Sequence, residues 1–317
     1  MNDAMKVIVM SAIIDSILNQ IDDGEIIDKL LSLSRADLNS LLLELFQRQT
    51  DRLTPAEMLK AYQSNRFSVP SEADPARFHA LEAQLLTAAQ DMDIETVLLS
   101  PSAPLGSCSV FGCVDQYNVV SALRGTETLS DPSNMLAVII ADKLRRKATC
   151  NIHPLHYATT TRVVRAQAFE GKGFFAHFGL YCMVSSGRDT GSYASEKELL
   201  EKHLLFYKKM LQTQFNTKLS IVLRKRRGYK DIDGFFEQMT EAVRTMFPDT
   251  PLSFDFNDMD NKYYQGINFK IMMETADWPM EIGDGGFVDW MQQMLGSKKE
   301  RCLISGIGLD RLLLFGQ

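Results

Sequence analysis

The stretch Ser68-Val69-Pro70-Ser71-Glu72-Ala73-Asp74-Pro75 places prolines at positions 70 and 75. Proline lacks a backbone donor and clashes with the preceding turn, so neither a helix nor a central strand runs through this segment. It divides the chain into two dissimilar parts. Before it, Ile13, Ile14, Ile17, Leu18 and Ile21 recur at helical spacing, and Leu30, Leu31 and Leu33 follow. Ser34 to Asp37 reads as a helix start, with Leu38, Leu41, Leu42 and Leu45 behind it on one face. Thr54-Pro55-Ala56-Glu57 is a clearer start: a capping residue, proline at the first helical position, then an acid in the first turn. Residues 1–69 are therefore expected to form a small all-helical domain, and residues 70–317 a second domain.

The second part has a different texture. Residues 75–91 read as one amphipathic helix, and Thr96 to Leu99 as a short strand before Pro101. Ala158 to Val184 reads as two strands around a loop centred on Glu170-Gly171-Lys172-Gly173. Ser195-x-x-Glu198 is a capping-box pattern opening a helix to about Leu211. Leu219 to Leu223, Leu252 to Phe256 and Ile267 to Met273 read as strands, and Gly234 to Phe247 as a helix. Cys302 to Ile304, a glycine-rich turn, and a helix from Leu309 to Phe315 close the chain. Both hairpins and helices join the strands, which predicts an α+β fold with a mainly antiparallel sheet flanked by helices.

Charge and cysteine content exclude some functions. The 34 Lys+Arg against 40 Asp+Glu give a net charge of −6. That argues against coating DNA or RNA by bulk positive charge, but leaves open a local basic groove and tRNA as a partner. No run approaches the ~18 apolar residues of a membrane span. Val7 to Ile14 is cut short by Asp15 and reads as a helix, not a leader. The five cysteines are odd in number and scattered, as for reduced thiols in a cytoplasmic protein. Cys108 and Cys113 have no second ligand pair, so no metal site is assigned.

Two segments carry candidate chemistry. Ser305-Gly306-Ile307-Gly308-Leu309-Asp310-Arg311 leads into the apolar run Leu312 to Leu314. Glycines let a backbone approach a planar ligand closely, and an arginine at the helix start can stack on a base and meet phosphate. The same residues also suit a glycine turn into a core helix with a surface arginine. The second segment is Arg162-Val163-Val164-Arg165-Ala166-Gln167, with Phe174, Phe175, His177 and Phe178 after the loop. On a strand Arg165 and Gln167 share a face, which could offer charge for phosphate and an amide for a base edge, or be merely an exposed face.

Together these segments resemble motifs 2 and 3 of class II aminoacyl-tRNA synthetases. Val164-Arg165-Ala166-Gln167 with Phe178 is similar to motif 2, and Gly306-Ile307-Gly308-Leu309-Asp310-Arg311 to motif 3. Residues 75–91 and Val97 to Pro101 are compatible with motif 1. Lys262-Tyr263-Tyr264-Gln265-Gly266 and Ile282-Gly283-Asp284-Gly285-Gly286-Phe287-Val288-Asp289 resemble two segments of histidyl-tRNA synthetase. Residues from about 75 onward thus look like the core of that enzyme or of its paralogue, the regulatory subunit of ATP phosphoribosyltransferase.

The resemblance implies ATP and Mg2+ as cofactors, a homodimer, and a small-molecule carboxylate as substrate. Arg165 would neutralise the α-phosphate and Arg311 hold the far end of the nucleotide. Gln167, Phe178, Gly306 and Gly308 would complete the nucleotide site. Asp131, Tyr263, Tyr264, Gly285, Gly286 and Phe287 would line the substrate pocket. The departures are specific. Gln167 stands where the family has Glu, Phe287 where it has Arg, and Met259 or Asp260 near the family's activating arginine. Leu129-Ser130-Asp131-Pro132 is the counterpart of the segment that holds the substrate amino group. These changes argue against histidine, and Phe287 beside Tyr263 and Tyr264 suggests an apolar ligand or a pocket filled by its own side chains. The chain runs six residues past Arg311, so no anticodon-binding domain is expected, and the acceptor would be a protein or small molecule. The expected function is an adenylate-forming ligase; the alternative is a non-catalytic regulatory or ligand-binding subunit that works with a partner enzyme. Neither DNA nor a membrane is expected as a partner.

Overall fold

The computed structural model describes residues 3–146, 154–167, 176–257, 262–275 and 278–315. The expected loop around Gly171, together with Phe174, Phe175, Met259 and Asp260, lies outside them. The chain falls into two compact units: residues up to Ser64 with Ala122–Gly125, and Asn65–Ser121 with Thr126 onward.

The first unit is built from α1 (Asp3–Ile21), α2 (Ile26–Leu31), α3 (Arg35–Thr50) and α4 (Pro55–Ser64). Its helix starts follow from local chemistry. Ser34 Oγ accepts from the Asp37 amide at 3.1 Å. Thr54 and Glu57 form a reciprocal box: the Thr54 amide donates to Glu57 Oε2 at 2.8 Å, and the Glu57 amide to Thr54 Oγ1 at 3.3 Å. None of the side chains of α2, α3 and α4 is fully buried.

The second unit contains α5 (Pro75–Gln90), β1 (Glu95–Thr96), β2 (Ser102–Pro104), the Ser121 half of β3 (Ser121–Ala122), β4 (Thr126–Thr128) and α6 (Pro132–Arg146). Then follow β5 (Leu155–Val164), β6 (His177–Arg188), α7 (Ala194–Phe215), β7 (Leu219–Lys225), α8 (Ile232–Met246) and β8 (Leu252–Asp255). The chain closes with β9 (Gln265–Met273), β10 (Met280–Val288), α9 (Trp290–Leu295), β11 (Glu300–Gly308) and α10 (Leu309–Phe315). Eight strands form one sheet in the order β1-β5-β6-β11-β10-β9-β7-β8. Only the edge pairs, β1 with β5 and β7 with β8, are parallel. The fold is α+β with a large, mainly antiparallel sheet flanked by helices. Among the described residues no helix is long and apolar enough to cross a membrane.

Side chains alternate across the sheet. One face, with Ala158, Tyr181, Met183, Leu303, Ile307, Phe269 and Phe287, packs on α5, α7, α8 and α10. The opposite face, with Tyr157, Cys182, Val184, Cys302 and Ile304, packs on α6 and α9. β10 and β11 approach closely at Gly283, where a Cβ would stand 2.0 Å from the Gly306 carbonyl oxygen. Only glycine fits there.

Polar groups thread the α7 side of the sheet. His156 Nδ1 lies 2.7 Å from Ser185 Oγ, which lies 2.8 Å from His203 Nε2. His203 Nδ1 and the Tyr207 hydroxyl both meet Ser305 Oγ, at 2.7 and 2.8 Å. Burial pushes the His156 imidazole down to about 4, with Lys202 adding to the shift. Burial, then His156, pushes His203 well below the ordinary range. Both rings are neutral near pH 7, as a buried imidazole without an acid partner must be.

Several local expectations change in context. The capping box at Ser195 does not form: α7 starts after Tyr193, in a left-handed conformation, and Ser195 Oγ donates to the Arg188 carbonyl instead. The glycines 306 and 308 lie within β11, not in a turn. Within the basic run Arg224-Lys225-Arg226-Arg227, Arg226 is buried and donates to Asn268 Oδ1 at 2.7 Å, while Arg224 pairs with Asp255 at 2.5 Å.

Candidate functional site

The end of β5 carries the first site residues. Beyond Val164 the ladder continues for one step, with the Arg165 amide donating to the Ala176 carbonyl at 2.8 Å. The Arg165 side chain donates from Nε to the Ser130 carbonyl at 3.2 Å, and its guanidinium lies 5.1 Å from the Phe178 ring centre. That carbonyl and ring fix the arginine while its terminal nitrogens make no hydrogen bond among the described residues.

Asp131 sits just before Pro132, which opens α6. Its Oδ1 accepts from the Ser133 amide at 2.9 Å, and its Oδ2 accepts from the Tyr263 hydroxyl at 3.0 Å. Tyr264, ahead of β9, donates to Asp284 Oδ1 at 3.2 Å, and the two tyrosine rings meet edge to face with centres 4.8 Å apart. Burial, then the neighbouring carboxylates, push both phenols well above their ordinary range. They stay protonated and serve as donors that orient Asp131 and Asp284.

These groups converge on one cavity of about 610 Å³ on the α6 side of the sheet, lined by Asp131, Arg165, Gln167, Tyr263, Tyr264 and Asp284 among others. Gly306 and Cys182 also line it. A Cβ on Gly306 would stand 3.0 Å from Cys182 Sγ, so glycine here leaves the floor open. Burial, then Asp131, pushes the Cys108 thiol up to about 12, and burial raises Cys182 similarly. Neither is a thiolate at neutral pH, so neither is poised as a nucleophile.

One wall is held by a residue that the sequence reading did not single out. Glu127 on β4 is fully buried and accepts from Ser107 Oγ at 2.6 Å, the Gly106 amide at 2.9 Å, Gln116 Nε2 at 2.9 Å and the Cys108 amide at 3.3 Å. Burial opposes its charge, but the four hydrogen bonds outweigh it and hold the carboxyl below its ordinary value. Glu127 thereby pins the loop that brings Cys108, Val114 and Asn118 to the cavity. No spacing or motif around it marks it out. Asp284, which lies within the segment resembling histidyl-tRNA synthetase, also lines the cavity. Its period-two relation to Gly286 was the available signal.

The other expected residues lie elsewhere. Phe178 touches Arg165 but packs with Ala103, Leu129 and Val163. Phe287 is buried on the opposite face, 5.8 Å edge to face from Phe235. It does not line the cavity, so the argument from Phe287 for an apolar ligand falls. Gly285 faces the same way, against Phe269 and Ser305. Gly286 faces Tyr264, where a Cβ would stand 2.5 Å from the ring. Gly308 ends β11 opposite Leu180. Arg311 donates to the Glu281 carbonyl at 3.2 Å. Its neighbour Asp310 is a structural anchor: Oδ2 accepts from the Gly179 amide at 2.6 Å, and Oδ1 from Ser71 Oγ at 3.3 Å. Among the described residues no group of three or more His, Cys, Asp or Glu side chains is placed to hold a metal ion.

Comparison with solved structures places the fold. Apo histidyl-tRNA synthetase of S. aureus matches with a TM-score of 0.58 at 12% identity, over 78% of this chain and 69% of that one. An ATP phosphoribosyltransferase regulatory subunit/histidyl-tRNA synthetase from Bacillus halodurans C matches at 0.57 and 11%, over 78% and 81%. The RNA binding domain of threonyl-tRNA synthetase from Cryptosporidium parvum Iowa II matches at 0.59 and 11%, over 76% of this chain and 64% of that one. No protein-family model matches the sequence, and no curated protein matches it. The core is class II aminoacyl-tRNA synthetase-like; at these identities the likeness is one of fold.

Proposed function

We propose that the cavity binds an amino acid together with an adenine nucleotide and joins them as an acyl-adenylate. The observation that carries this reading is the convergence of Asp131, Arg165, Gln167, Tyr263, Tyr264 and Gly306, from separate segments, on one cavity. Asp131, held by Tyr263 and the Ser133 amide, suits an ammonium group. Arg165 suits a carboxylate and the phosphate it attacks. A carboxylate oxygen would attack the α-phosphorus; the new C–O–P linkage forms as the bond to the β-phosphate oxygen breaks, and pyrophosphate leaves with the electron pair. Arg165, anchored in advance by Ser130 and Phe178, would stabilise the charge that builds on the α-phosphate. Mg2+ entering with the nucleotide phosphates would need only one or two protein carboxylates and would supply further positive charge at those phosphates. In this reading the chain works as a homodimer.

A second reading keeps ligand binding and drops catalysis. It is favoured by Arg311, which is engaged by the Glu281 carbonyl, and by Gln167, whose amide cannot supply the charge of the family's acid. Amino-acid-dependent ATP–pyrophosphate exchange separates the two. The first reading expects exchange with at least one amino acid and a loss of about a hundredfold in Arg165→Ala, in line with removal of one charge-stabilising donor. Absence of exchange with any amino acid, while calorimetry still detects amino-acid binding, supports the second. Absence of both amino-acid and nucleotide binding defeats both.

A further inference from the structure

The cavity holds more negative charge than an ordinary amino acid can use. A zwitterion brings one ammonium and one carboxylate, matched by Asp131 and Arg165. Asp284 then remains, lining the same cavity with its Oδ1 fixed by the Tyr264 hydroxyl at 3.2 Å. Its only described ion-pair partner is Lys270, whose Nζ lies 3.4 Å from Asp284 Oδ2 but 2.7 Å from Glu281 Oε1. One ammonium is thus shared between two carboxylates, and it sits nearer the other one. Resting on the reading that this site takes an amino acid, we infer that the substrate carries a second cationic nitrogen, seated at Asp284.

The physical argument is one of desolvation. An occupant that fills the cavity removes water from Asp284. A neutral side chain would leave that carboxylate short of a counter-charge, whereas a cationic one replaces the lost hydration. The cavity volume of about 610 Å³ lies within the usual range for small-molecule sites. Phe287, expected beside Tyr263 and Tyr264 in an apolar pocket, faces the other side of the sheet, and both tyrosines direct their hydroxyls to carboxylates.

The test is calorimetric titration of the full chain near neutral pH with L-lysine, L-ornithine and L-arginine, against L-norleucine and L-glutamine. The expected result is that the cationic amino acids bind at least tenfold tighter than norleucine. In Asp284→Asn, which keeps an acceptor for the Tyr264 hydroxyl, the ratio of lysine to norleucine affinity falls towards one. Whether the ammonium or the guanidinium compounds bind better identifies the cation; either result supports the inference. Norleucine or glutamine binding as tightly as lysine to the wild type overturns it, as does a preference that survives in Asp284→Asn. If that variant does not fold, the wild-type ratio alone decides. Absence of binding by every amino acid overturns the underlying reading as well, whereas binding without cationic preference overturns only this inference.

Discussion

Acidification will destabilise the core well before its carboxylates titrate. His156 and His203 are joined through Ser185 in a chain that contains no acid. In the unfolded chain an imidazole takes up its proton near pH 6.5, but His156 in the fold does not until about 4. Between those values the unfolded state binds more protons, so stability falls as pH falls. For His156 alone, the linkage relation gives a loss of about 2 kcal/mol between pH 7.5 and pH 5, most of it below pH 6.5. His203, more deeply buried, acts in the same direction. Lys202, which faces His156 from α7, sharpens the effect by disfavouring the imidazolium. The assay is urea unfolding at several pH values, following the core transition of the wild type and of His156→Gln. The variant will be less stable at pH 7.5 but will show a shallower decline with acid, by about the same 2 kcal/mol. Equal pH slopes in the two proteins, or a wild type whose stability is flat from pH 7.5 to 5, would refute the reasoning.

Two further outcomes follow from single contacts. Asp310→Asn will cost about 2–4 kcal/mol in thermal or chemical unfolding, because the buried carboxylate accepts from the Gly179 amide and Ser71 and lies 3.6 Å from Arg162. Gly286→Ala will weaken amino-acid binding at least tenfold while the sheet still forms, since its Cβ would stand 2.5 Å from the Tyr264 ring and displace a cavity wall; titration calorimetry with a circular-dichroism control measures both.

Local chemistry settled much of this protein in advance. The reciprocal box at Thr54 and Glu57 and the Ser34 cap on the Asp37 amide are short-range hydrogen bonds, and short-range patterns are written in consecutive residues. The shared face of Arg165 and Gln167 follows from the period of a strand, and both reach the cavity. Motif order alone pointed to the class II architecture that the sheet displays.

Tertiary structure decided the rest. No strand is legible at β10, because Gly283, Gly285 and Gly286 have weak strand preference; it forms because β9 and β11 supply its ladders on both sides. Which way its side chains point is a matter of register. That register sends Asp284 to the cavity and Phe287 into the core, reversing the polarity expected of the pocket. Glu127 became a loop anchor only when four donors from residues 106–116 closed around it. A sequence lists the groups that can bear charge, but the packing around each one determines whether it meets a neighbour of the protein or faces a ligand.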